Sequence, residues 1–140
     1  MHCKPCFRDK DELQAAVDDY ISEDCTNNSG CTVGKMYGWP IGEWCVSRVT
    51  DMSFLFQAKN EFNEDLSGWD VSSVTNLQRT FEHALQFNGD ISNWDVSSVT
   101  NMEGVFINAH AFNRDISNWK ISSVTDMGLM FMYAHSFDQD

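Results

Sequence analysis

Between residues 37 and 140 the apolar positions recur as a block. Tryptophan stands at Trp44, Trp69, Trp94 and Trp119, and phenylalanine at Phe56, Phe81, Phe106 and Phe131. Val49, Val74, Val99 and Val124 keep the same 25-residue step, as do Phe62, Phe87, Phe112 and Phe137. Inside one block, Ile91, Trp94 and Val96 alternate with polar neighbours. That period of two predicts a short strand with Trp94 and Val96 inward and Asp95 outward. Val99, Met102, Phe106 and Ala109 then follow at steps of three, four and three, the spacing of one face of a helix. Ser98 precedes them with a hydroxyl suited to a helix start. The pattern predicts strand, turn, helix and loop within each block. A period of this length marks an array whose units bury their apolar faces only against copies of themselves.

If equivalent strands pair side by side, each coil advances by about 4.8 Å and identical side chains form columns. The tryptophan and phenylalanine columns are then the core, each aromatic contributing a few kcal/mol on burial before its ordering entropy is subtracted. Asn63, Asn88 and Asn113, with Asp65, Asp90 and Asp115 two residues on, suit Asx turns at the bends. Calcium is the competing use of those oxygens, although the glycine and glutamate of a dedicated loop are missing. Thr50, Thr75, Thr100 and Thr125 form a single outward file of the kind an ice-binding face would double. His110 and His135 share register, while His83 is displaced by one position.

Residues 1–40 are a different text and read as an N-terminal cap. A helix over about residues 9–21 places Leu13, Ala16, Val17 and Tyr20 on one face, and Asp9 with Glu12 has capping-pair spacing. "CTNNSGCTVGKMYGWP" then reads as loop. The repeat region spans 41–140, with units at about 41–61, 62–86, 87–111 and 112–136, and 137–140 beginning another. Cys3, Cys6, Cys25, Cys31 and Cys45 all fall in or beside the cap. Two disulfides with one thiol left over is the expected arrangement, since the aperiodic segment most needs fastening. Reduced structural cysteines, a zinc site of Cys3, Cys6, Cys25 and Cys31, and a redox pair at Cys3 and Cys6 are the alternatives. The second zinc pair is too widely spaced, and no strand precedes the first.

A net charge of −12 and a pI near 4.4 argue against nucleic acid or an anionic membrane as partner. No apolar run approaches the roughly 20 residues of a bilayer span, and "MHCKPCFRDK" lacks a signal-peptide core. A soluble chain is expected, in an extracytoplasmic setting: secreted, on a cell surface or in an oxidising lumen. Phosphate loops, nucleophile elbows and metalloprotease helices are missing, so neither enzymatic activity nor a cofactor is expected.

The string F-N-x-D-[IL]-S-x-W-x-[VI]-S-S-V-T-x-[ML] over about residues 37–140 resembles the DUF285 family, the bacterial surface protein 26-residue repeat, with related repeats in BspA-like leucine-rich-repeat proteins. The chain departs from it in its strict 25-residue step, in Leu77, and in Cys45 and Lys120 where other copies have Asp70 and Asp95. The resemblance implies a leucine-rich-repeat-like coil and a non-enzymatic role on surfaces. The expected fold is therefore α/β: a leucine-rich-repeat-like right-handed solenoid of about four strand-turn-helix coils behind a helical, cysteine-containing cap. The expected function is a protein-interaction or structural scaffold, as an accessory subunit contacting partners through its ends and strand face. A secreted or surface module for calcium, glycan or ice is the second class. Asp70, Asp95 and Lys120 on the outward face, and Met127, Phe131 and Phe137 at an end without a polar closing cap, are the candidate contact residues.

Overall fold

The strand-turn-helix coil is not what the chain forms. The computed structural model describes residues 3–140, and its two α-helices both lie in the first 37 residues: α1, Lys10–Ser22, and α2, Thr32–Tyr37. Apart from one 3-10 turn at Ile41–Glu43, the repeat region is turn, coil and isolated bridges. In place of a sheet, isolated parallel bridges join Asp51 to Asn76, Asn76 to Asn101 and Asn101 to Asp126. The α/β solenoid and its leucine-rich-repeat-like coil are accordingly corrected. Ser98 caps no helix, and the segment from Ile91 to Val99 is two turns, with Trp94 N–H donating to Ile91 O and Val99 N–H to Val96 O.

The units do stack in register, and main-chain hydrogen bonding shows how. Along residues 77–83 every second peptide lies across the unit: Leu77, Arg79, Phe81 and His83 donate N–H groups to the carbonyls of Asn101, Glu103, Val105 and Ile107. The peptides between them close overlapping turns inside the unit, Thr80 to Leu77, Glu82 to Arg79 and Ala84 to Phe81. The same ladder runs from residues 52–58 to 76–82 and from 102–108 to 126–132. Such alternation needs a left-handed residue at intervals, and Phe54, Ala58, Arg79, His83, Gly104, Asn108, Leu129 and Tyr133 all have φ between 50 and 64°. For most side chains that conformation costs about 1 kcal/mol or more. The hydrogen bond each turn frees for its neighbour offsets it.

Neighbour spacing excludes the expected helix. Phe56, Phe81, Phe106 and Phe131 follow one another at 5.4, 5.8 and 5.6 Å between ring centroids, with rings within 7° of parallel. Helices pack at about 8–10 Å and would force these columns apart. Val105, Phe106 and Ile107 are all buried in succession, because the ribbon is covered by the core on one side and by the adjacent units on its edges.

The inward set is as the alternation requires. Trp44, Trp69, Trp94 and Trp119 are 2, 3, 4 and 7% exposed, and Phe56, Phe81 and Phe106 are fully buried. Each indole also reaches back: Nε1 of Trp69, Trp94 and Trp119 donates to Ile41 O, Leu66 O and Ile91 O at 2.9–3.0 Å. Asp95 is exposed beside buried Trp94 and Val96.

The cap closes the first unit. Asp9 accepts the Glu12 N–H at 3.0 Å and starts α1, whose Leu13, Ala16, Val17 and Tyr20 are buried. Gln14 Nε2 donates to Leu55 O, Lys10 Nζ to Ser53 Oγ, and Lys59 pairs with Asp18 at 2.7 Å. Tyr20 O–H donates to Glu64 Oε1 at 2.9 Å and meets Trp44 edge-on, with ring centroids 5.5 Å apart. The span expected to be loop contains α2, only six residues long and too short to show a period. It is pinned at its start by the Cys25–Cys31 disulfide and by Glu23, which accepts the Thr32 N–H. A second disulfide, Cys6–Cys45, ties the N-terminal strand of chain to the first unit, where Phe7 N–H donates to Cys45 O.

Two expectations follow. Replacing Trp94 with alanine should cost about 3–5 kcal/mol in urea unfolding, as for other buried aromatics; a loss below about 1 kcal/mol would contradict an indole-filled interior. The Cys6–Cys45 bridge closes a separation of 39 residues and Cys25–Cys31 one of 6. On the loop-entropy estimate their removal by paired serine substitutions should cost about 4 and about 2 kcal/mol respectively, and the reverse order would argue that strain or cap packing dominates.

Candidate functional site

The two ends of the stack differ. At the first unit, α1 and its side chains cover the core and meet the Leu55 carbonyl. At the last unit the ladder stops with Met127, Leu129, Phe131 and Tyr133, whose N–H groups occupy the donor positions of Met102, Gly104, Phe106 and Asn108 and have no acceptor among the described residues. Around these donors Met127, Leu129, Met132 and Tyr133 are 42, 52, 40 and 56% exposed. Phe131 and Phe137 are half-buried and stacked on each other at 4.1 Å. Val124 and Ile116 complete the partly covered layer.

Met127, Phe131 and Phe137, singled out from the sequence, lie here, and Leu129, Met132 and Tyr133 of the same apolar stretch join them. The Leu129 column reads Phe54, Arg79, Gly104, Leu129, and the Tyr133 column reads Ala58, His83, Asn108, Tyr133, so both turn apolar in the last unit. The donor row itself is main chain and has no side-chain signature.

The other candidates lie elsewhere. Asp70, Asp95 and Lys120 form an exposed file along the flank. Asp70 and Asp95 each accept a seryl hydroxyl at 2.6 Å and the same serine's N–H, from Ser72 and Ser97. The hydroxyl bond first and the amide second hold both carboxyls below the ordinary aspartate range, and Ser92 and Ser117 do the same for Asp90 and Asp115. Asn63 and Asn88 accept main-chain N–H groups from Asn88 and Asn113, one unit on, at 2.8–2.9 Å. Thr75, Thr100 and Thr125 turn their hydroxyls onto the carbonyls of the preceding threonines. His110 and His135 form an exposed pair with ring centroids 4.9 Å apart and planes tilted by 39°. Glu23, Cys25 and Cys31 bring three potential ligand atoms within 4.8 Å of one another, but both sulfurs are in the disulfide and Glu23 is engaged by Thr32. The zinc and redox-pair alternatives fail on connectivity, since Cys6 joins Cys45 and Cys3 is free and exposed. A groove of about 190 Å³ between α1 and α2 is floored by Ala16, Val33 and Met36 and rimmed by Glu12, Asp19 and Glu23.

The lowered carboxyls set a pH dependence. Each contributes stability that is complete above the unfolded aspartate value, near pH 4, and is lost as the pH falls through the lower native value. Urea midpoints should therefore hold between about pH 5 and 7 and decline below about pH 4. Ser72→Ala with Ser97→Ala should flatten that decline; an unchanged slope would show that other carboxylates govern it.

No helix among the described residues is long and apolar enough to cross a membrane, and the two disulfides are compatible with an oxidising, extracytoplasmic setting. No curated protein and no solved structure is significantly similar to the chain. Residues 5–140 match the family described as "Mycoplasma protein of unknown function, DUF285", a match that takes in the cap as well as the repeats. With nearly its whole length matched, the chain belongs to the DUF285 family.

Proposed function

We propose that the protein is a non-enzymatic interaction module, a scaffold or accessory subunit that docks protein partners through the open face of its last unit. The carrying observation is the contrast between the ends: one is closed by α1, while the other leaves Met127, Leu129, Met132 and Tyr133 exposed around four main-chain donors. Exposed apolar clusters rimmed by polar groups mark interaction surfaces. Asp70, Asp95 and Lys120, exposed at equivalent positions of successive units, are further candidate contact residues. A secreted, cell-surface or oxidising-lumen location suits the cap disulfides. A calcium, glycan or ice module draws less support, because the aspartates of the repeat are engaged by serines and three threonine hydroxyls by main chain.

Affinity capture from the native source should return a stoichiometric protein partner with the natural chain. The double variant Leu129→Asp, Tyr133→Asp should lose it while keeping its circular dichroism spectrum. Equal recovery by the variant, or calorimetric binding of calcium or a glycan with no partner, would replace this reading.

A further inference from the structure

We propose that the open face takes one class of occupant, a further 25-residue turn ribbon of the same repeat, presented head to tail. The inference rests on the interaction reading above and specifies the chemistry of the partner. Each of the three ladders in the structure joins N–H groups of one unit to carbonyls of the next. Other bonds run the opposite way: Thr75 and Thr100 N–H groups donate to Thr50 O and Thr75 O, Gln86 and Ala111 to Asn60 O and Leu85 O, and the indoles to carbonyls 28 residues earlier.

Carried to the last unit, this scheme leaves donors at Met127, Leu129, Phe131 and Tyr133 and acceptors at Thr125 O and His135 O, none of which is bonded among the described residues. Ile116 O, which takes the Trp119 N–H, keeps the place where an incoming indole would bond. The occupant must therefore offer a row of carbonyls opposite the donors and N–H groups at both flanks. A 25-residue unit has that arrangement on its leading edge.

A second copy of the chain does not. Its own carbonyl edge lies beneath α1, where Leu55 O is already bonded to Gln14. Two open faces brought together by a two-fold axis set donors against donors, and a buried N–H left unpaired is unfavourable. The apolar rim favours association, and the donor row decides its direction.

The test extends the full chain after Asp140 with the sequence Ile91–Ala111. Register is kept because Phe137 and Asp140 stand where Phe87 and Asp90 stand. The control carries the same added residues in scrambled order, and hydrogen exchange of the Met127, Leu129, Phe131 and Tyr133 amides is read by NMR. The ordered extension should slow all four by about tenfold or more against the control, the factor one net main-chain hydrogen bond supplies. Equal exchange in both would overturn the proposal, as would a two-fold dimer of the 140-residue chain that protects the same amides. Loss of a protein partner by the Leu129→Asp, Tyr133→Asp variant with no protection from the extension would leave the interaction reading standing and end this one. Protection without any captured partner would do the reverse.

Discussion

Everything in this molecule depends on the direction of alternate peptides. In residues 52–58, 77–83 and 102–108 every second N–H leaves its own unit and bonds to the next. The polar main chain is thereby satisfied between units, which is what lets a ribbon of turns be buried at all. A helix would satisfy the same groups internally and leave neighbours to meet only through side chains. The close approach shows in the glycines as well: a β-carbon on Gly89 would stand 2.2 Å from Glu64 O.

The side-chain columns follow from that backbone spacing. Once neighbouring ribbons are hydrogen-bonded, equivalent phenylalanines lie 5.4–6.1 Å apart and nearly parallel, and each indole is close enough to bond the previous unit. Aromatic packing then adds to the ladder. Neither term is available to a unit alone, so the stability of the array is cooperative along its length.

The side-chain half of this arrangement was legible. Register, the inward set led by Trp94 and Phe106, the capping pair of Asp9 and Glu12, and the gathering of cysteines at one end all leave marks in residue type and spacing. The backbone half was not. Left-handed turns advertise themselves through glycine or asparagine, yet of the eight such positions in the units only Gly104 and Asn108 carry them, against Phe54, Ala58, Arg79, His83, Leu129 and Tyr133. With that signal absent, apolar steps of three and four read as a helix. The open end was half legible for the same reason: Met127, Phe131 and Phe137 show in the sequence, but a row of amide hydrogens does not.

All the disulfide chemistry sits at the closed end, where Cys6–Cys45 and Cys25–Cys31 hold the cap, and the units beyond Cys45 contain no sulfur that can be oxidised to a bridge. The two extremities thus answer to different surroundings. A reducing medium would remove the two covalent ties of the cap and leave its hold on the first unit to the buried face of α1 and to the bonds of Lys10, Gln14 and Asp18.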